Sequence, residues 1–146
     1  MTENEYVGAI ILNPNNEILL QRKSLRYKKW PGFWTTFGGA ADNGESPIDA
    51  FHREVVNEET GLKLFDVNLF EKFYIDESKY GNYGQPNPSI GWCHFFAARF
   101  DGDLSKIVLR EGAGFSVWDR SELPSIKDKT FPYVYEVIER FYQSLK

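Results

Sequence analysis

The sequence predicts an α/β fold, and three observations carry that prediction. The chain opens on a strand–turn–strand pattern, "YVGAIILN", "PNNE" and "ILLQRK", in which β-branched residues flank a cluster of turn formers. A helix is then signalled by Ser46 as N-cap, Pro47 at the first helical position, Asp49 reaching back in a capping box, and Gly61 as terminator. At the far end, "FPYVYEVIERFYQSL" carries Val134, Val137, Ile138 and Phe141 at spacings of i, i+3, i+4 and i+7. That makes one apolar stripe suited to packing on a sheet.

The remaining elements follow in order. After the opening hairpin, "SLRYKKWPGFW" mixes basic and aromatic residues around Pro31 and Gly32 and reads as a loop leading into a short strand at "TTFGGAAD". Beyond the first helix, "LFEKFYIDE" and "GWCHFFAARF" read as strands, joined by "SKYGNYGQPNPSI". That connection is longer than a hairpin loop and rich in Gly, Asn and Pro, a type that shapes binding sites as readily as it forms a solvent loop. "FSVWD" reads as a further strand and "RSELP" as a turn or short helix before the closing helix. No repeat or break in composition divides residues 1–146, so one domain is expected.

Composition narrows the function. A formal charge of -4 argues against a protein that lives on a nucleic-acid backbone, which calls for a basic footprint. A small anionic ligand is still compatible, held by a local basic cluster or a metal ion. The single Cys93 cannot form an internal disulfide, and the apolar "YVGAIIL" is too short to span a bilayer. A soluble cytoplasmic protein with no membrane partner is expected.

The stretch "REVVNEETG" from Arg53 to Gly61 raises a packing problem. On an ideal helix with Ile48 at zero, Phe51 and Val55 fall within about 60° of it and define a core-facing side. Glu54 and Glu58 share a flank about 40° apart, while Glu59 lands only about 20° from Ile48, in the middle of the apolar side. A buried, unpaired carboxylate costs several kcal/mol or takes up a proton. A π-bulge between Val55 and Glu58 would rotate Glu59 by about 100° onto the flank of Glu54 and bring three carboxylates together. Such a cluster favours a hard divalent cation, Mg²⁺ or Mn²⁺, because all its donors are oxygens. A solvated acidic face is the alternative that the helix alone leaves open.

The surroundings decide between them. The run "GGAADNGESPIDAFHREVVNEETGL" resembles the signature of the Nudix hydrolases, G-x5-E-x7-R-E-U-x-E-E-x-G-U with U aliphatic. Gly39, Glu45, Arg53, Glu54 and Val55 match in register, and Glu58, Glu59, Gly61 and Leu62 match if one residue is inserted among Val55, Val56 and Asn57. The insertion leaves Asn57 or Glu58 for the middle metal-binding position, and the bulged helix favours Glu58.

The resemblance implies an α/β/α sandwich with a mixed sheet, and hydrolysis of a phosphoanhydride in a nucleoside diphosphate linked to another moiety, a nucleoside triphosphate or nucleotide sugar foremost. It implies Mg²⁺, with Mn²⁺ as a substitute, held by Glu54, Glu58 and Glu59 beside the backbone of Gly39, with Glu45 as a further contact. Arg53 would orient the glutamates, and Glu58 would serve catalysis as well as the metal. Glu111, in the late loop "REGAG", would complete the site as ligand or general base. Among the basic residues before the box, Arg22, Lys23, Arg26, Lys28 and Lys29 are candidates to steer phosphates, and Trp34, with Trp30 and Phe33, to stack a base. His52 is expected to be packed and hydrogen-bonded, and His94 to line either core or pocket. A dimer is compatible with all of this. Two rival readings stand beside it. One is an isopentenyl-diphosphate isomerase, whose approach "KWPGFWTT" resembles; the other is a nucleotide-sensing module that no longer catalyses.

Overall fold

A computed structural model describes residues 4–80, 88–108 and 112–145. Its centre is strand β1 (Asn4–Leu12), which is hydrogen-bonded along its whole length to β6 (Ile90–Arg99) in parallel. On its other edge β1 divides its partners. Its middle residues, Tyr6 to Ala9, pair antiparallel with β4 (Phe37–Ala40), and its last residues pair with β2 (Ile18–Arg22). Strand β5 (Phe65–Asp76) closes one side of the sheet against β6, and β3 (Trp34–Thr35) and β7 (Gly114–Trp118) both pair with β2. The sheet is therefore mixed, as expected, because one parallel pairing sits among antiparallel ones.

Both faces of this sheet are covered, which is why "YVGAIIL" reads as an almost continuous apolar run rather than an alternating one. Ile10, Leu12, Ile18 and Leu20 face α2 (Pro132–Ser144) and its stripe of Val134, Val137, Ile138 and Phe141. Ala9, Ile11, Leu19 and Phe37 face the opposite layer, where Phe51 and Val55 are buried. That layer is α1 (Pro47–Phe51) running directly into a π-helix at His52–Thr60. Between β7 and α2, the expected turn or short helix is a 3₁₀ segment, Arg120–Lys129, opened by a reciprocal capping box between Asp119 and Glu122. No helix among the described residues is long and apolar enough to cross a membrane.

Phe51 joins the two halves of its layer, meeting Phe96 of β6 at 5.1 Å between ring centroids. Because it is fully buried, Phe51→Ala is expected to cost about 3–5 kcal/mol in urea denaturation. A loss under about 1 kcal/mol would mean that the helix is not anchored there.

Candidate active site at the acidic helix

The helix begins as expected, with Ser46 Oγ accepting a hydrogen bond from Asp49 N at 3.2 Å and Pro47 in the first turn. The return arm of the capping box from Asp49 is not made. After Phe51 the helix widens. Thr60 Oγ1 donates to Val55 O at 2.8 Å, and Gly61 N donates to Val56 O at 2.7 Å, five residues back. Gly61 adopts φ 69°, the left-handed turn that ends the helix and that glycine adopts without penalty.

The wider turns account for the added residue but correct two expectations. Ile48, the assumed centre of the apolar side, is 38% exposed, since the buried side runs through Ala50, Phe51 and Val55. Glu59 is accordingly not relieved of burial. The bulge turns it onto the sheet, where Gly38 N donates to its Oε1 at 2.8 Å and Gln21 Nε2 to its Oε2 at 3.2 Å. Burial pushes the Glu59 carboxyl up to about 7, and the nearby Glu54 charge adds to this. The Gly38 N–H, Lys23 and Gln21 oppose the rise.

Glu54 and Glu58 converge elsewhere, on Arg53. Its Nη1 reaches Glu54 Oε1 at 2.9 Å and Glu58 Oε2 at 3.3 Å, while Nε and Nη2 clasp Glu45 at 2.9 and 3.0 Å. Nη2 also donates to Ala40 O at 3.2 Å. The hydrogen bonds from Arg53 hold the Glu45 carboxyl below its ordinary value, and Glu45 in turn raises Arg53. Glu45 is thus a partner of Arg53. Among the described residues no three acidic, His or Cys groups lie close enough to enclose an ion, so the three carboxylates do not meet at one point. The donors nevertheless suit a hard cation. All are carboxylate oxygens, and the Glu54 carboxylate lies in a cradle at Gly39, where a Cβ would come within 2.7 Å of Oε2.

Strand β4 separates this acidic layer from a cleft of about 200 Å³ on its other side. Gly38, Gly39 and Ala40 line the cleft along with Gln21, Lys23, Tyr27, Lys29, Ser89 and Tyr133. Lys23 Nζ lies 4.5 Å from the centre of the Tyr27 ring. Lys29 Nζ forms an ion pair with Glu77 Oε2 at 2.7 Å, with both side chains almost wholly shielded. Tyr133 donates its hydroxyl to the same oxygen at 3.0 Å, and Ser89 N donates to Glu77 Oε1 at 2.6 Å. Burial first, and then the Glu77 charge, hold Tyr133 well above its ordinary range, so it remains a neutral donor.

Several expected residues lie away from the cleft. Trp34 packs edge-on against Trp118 at 5.1 Å, and Trp30 is buried between Phe33, Phe131 and Tyr133. Arg22 is committed to Gly32 O at 3.0 Å. His52 is exposed, with its ring edge-on to Phe51, because the helix carries it past the core-facing side. His94 is buried, and its Nδ1 has no hydrogen-bond partner among the described residues. Glu111 and residues 81–87 of the long connection lie outside the described residues. Sequence reasoning missed Gln21, whose signal was a glutamine interrupting the apolar run of β2. It also missed the Lys29–Glu77 pair, for which nothing local gave a signal.

Comparison with known proteins agrees with this architecture. The family profile described as the NUDIX domain matches residues 3–141. An RNA pyrophosphohydrolase from Agrobacterium fabrum is 29% identical, covering 94% of this chain and 90% of its own. An isopentenyl-diphosphate Delta-isomerase from Corynebacterium glutamicum is 40% identical over 58 residues, which is 39% of this chain and 30% of that enzyme. Among solved structures, a NUDIX hydrolase from Nitrosomonas europaea superposes with a TM-score of 0.74 at 21% identity, covering 98% of this chain and 90% of its own. With its box helix, mixed sheet and matching profile, the chain belongs to the Nudix hydrolase family.

Proposed function

We propose that the chain hydrolyses a phosphoanhydride bond in a nucleoside diphosphate linked to another moiety, with Mg²⁺ or Mn²⁺ held by Glu54, Glu58 and Glu59. The observation that carries this reading is the shared wall. Residues Gly38 to Ala40 line an aromatic and basic cleft on one side and contact Glu59, Glu54 and Arg53 on the other. A nucleoside in the cleft would thus extend its diphosphate toward the carboxylates. The cation, when bound, supplies neutralisation of the anhydride oxygens and a more acidic water.

The chain's own residues do the rest. Lys23 lines the cleft near Glu59 and draws the phosphates in. Arg53 holds Glu54 and Glu58 at fixed bearings, and Gln21 and the Gly38 N–H hold Glu59. The water oxygen bonds to one phosphorus, the bridging P–O bond breaks, and the water proton passes to a carboxylate. Glu58, the most solvent-accessible of the three, is proposed for that proton, with Glu111 as its alternative. Among the described residues neither Cys93, which lines the cleft, nor His52 or His94 is hydrogen-bonded to Glu54, Glu58 or Glu59, which supports hydrolysis over the isomerase reading.

A second substrate reading is favoured by the relatives named RNA pyrophosphohydrolase: the 5′-terminal triphosphate of an RNA. With a net charge of -4 the protein would grip the terminal nucleotide rather than the chain behind it. A panel of nucleoside triphosphates, nucleotide sugars, dinucleoside polyphosphates and a 5′-triphosphorylated oligonucleotide, run with Mg²⁺ or Mn²⁺ beside Glu58→Gln, tests both readings. The variant is expected to lose about tenfold or more in turnover. Turnover that matches the parent would remove Glu58 from the mechanism, and binding without any metal-dependent turnover would favour a sensing module.

A further inference from the structure

We propose that the cleft selects a 6-oxopurine, guanine or hypoxanthine, through Lys29 and Ser89; the inference rests on the proposed hydrolysis of a nucleotide. Both groups line the cleft, and Lys29 Nζ lies 3.3 Å from Ser89 Oγ. An ammonium has three N–H donors and no acceptor. One goes to Glu77 Oε2 and one to Ser89 Oγ, which leaves one without a hydrogen-bond acceptor among the described residues; the ammonium also faces the Phe131 ring, at 6.0 Å from its centre. Ser89 Oγ accepts from Lys29, so its own proton is free to be donated. The cleft therefore offers two donors side by side.

The ligand edge that fits two adjacent donors has two adjacent acceptors. Guanine presents such an edge in O6 and N7, whereas adenine presents a donor, the N6 amino group, beside N7. The selection assigns Lys29 to position 6 and Ser89 to N7: there adenine would bring its amino group against an ammonium that cannot accept, leaving a desolvated donor unpaired, whereas the Ser89 hydroxyl could accept it. Uracil has carbonyls but the N3–H donor between them, and cytosine has two adjacent acceptors, O2 and N3, only with its N4 amino donor on the same edge.

A pair of phosphate oxygens would also offer two acceptors, but the local charge disfavours it. The Glu77 carboxylate sits 2.7 Å from the same Nζ and neutralises it, so an anion gains little attraction there and meets repulsion from Glu77. The surroundings suit a flat ring instead, since Tyr6, Tyr27, Phe131 and Tyr133 line the same space. A buried ion pair is weak evidence for stability in itself. Here the pairing holds Lys29 in place with one donor left for a ligand.

The test measures binding and turnover separately. Binding of GMP, IMP and AMP to the metal-free protein is measured by calorimetry, and kcat/KM is measured for guanosine and adenosine forms of whichever substrate class is hydrolysed. A preference of about tenfold or more for GMP and IMP over AMP is expected. Ser89→Ala and the charge-balanced double variant Lys29→Met with Glu77→Gln are expected to bring the guanosine-to-adenosine ratio within about threefold of unity. Because each ratio is taken on one protein sample, partial unfolding of a variant cancels. Equal binding of GMP and AMP, ratios unchanged in both variants, or inorganic phosphate displacing GMP with no dependence on the base would each overturn the proposal. Preserved GMP preference without hydrolysis of any nucleotide would sink the hydrolase reading and leave the base selection standing.

Discussion

Glu59→Gln is expected to lower metal-dependent turnover about a hundredfold or more, and to flatten the pH dependence of stability of the metal-free protein. The first effect follows from removing a charged donor that two hydrogen bonds hold beside the cleft wall. The second follows from linkage. The Glu59 carboxyl has its ordinary value, 4.5, in the unfolded chain and about 7 in the folded one, because burial disfavours its charged form. Below the unfolded value both states hold the proton, and the contribution to stability is fully present. As the pH rises toward and through the folded value, the unfolded chain gives up its proton first and the contribution is lost, by about 2–4 kcal/mol in all.

Glutamine keeps the shape and removes the titration. Its amide nitrogen must face either Gly38 N–H or Gln21 Nε2, so absolute stabilities carry an offset and the slopes are what distinguish the proteins. Urea denaturation from pH 4 to 8 after chelation should show the parent losing stability where the variant does not. Parallel curves would mean that Glu59 is not the buried titrating group, and unchanged turnover would remove it from the site.

How much of this was legible in the sequence depended on how local the cause was. The opening hairpin, the Ser46–Pro47 start and the α2 stripe follow from neighbours in the chain, and each is present. The widened helix was legible because a carboxylate at Glu59 conflicts with a regular helix, a conflict within one stretch of sequence. Its outcome was not, since the sheet supplies the partners that make burial tolerable, Gly38 and Gln21, from strands distant in sequence. Of the three residues that set the phase of the helix, Phe51 and Val55 are buried and Ile48 is not, because the buried side is centred on the later two. The surroundings of Trp34 were not legible either, because an aromatic in a basic loop looks alike whether or not a second ring such as Trp118 packs against it. The Lys29–Glu77 pair joins positions 48 residues apart, so only the folded chain reveals it.

Gly39→Ala is expected to lower turnover about a hundredfold while leaving the melting temperature within about 2 °C of the parent. A Cβ at this position would stand 2.7 Å from Glu54 Oε2 and 2.8 Å from Cδ, closer than such atoms approach. The colliding atoms are the end of a flexible side chain, so the clash resolves by Glu54 swinging aside rather than by movement of β4. The fold then persists, and the backbone pairing of Gly39 with Val7 survives because alanine keeps the same N–H and carbonyl. What changes is where one carboxylate points, and a displacement of about 1 Å in a positioned group is enough for a loss of this size. Gly38→Ala provides the contrast. There the Cβ would meet Val7 O at 2.1 Å, a backbone atom that cannot rotate away, and destabilisation should precede any loss of activity. If Gly39→Ala instead retained full activity, Glu54 would not need its cradle, and its place beside Glu59 in the metal-holding set would fall.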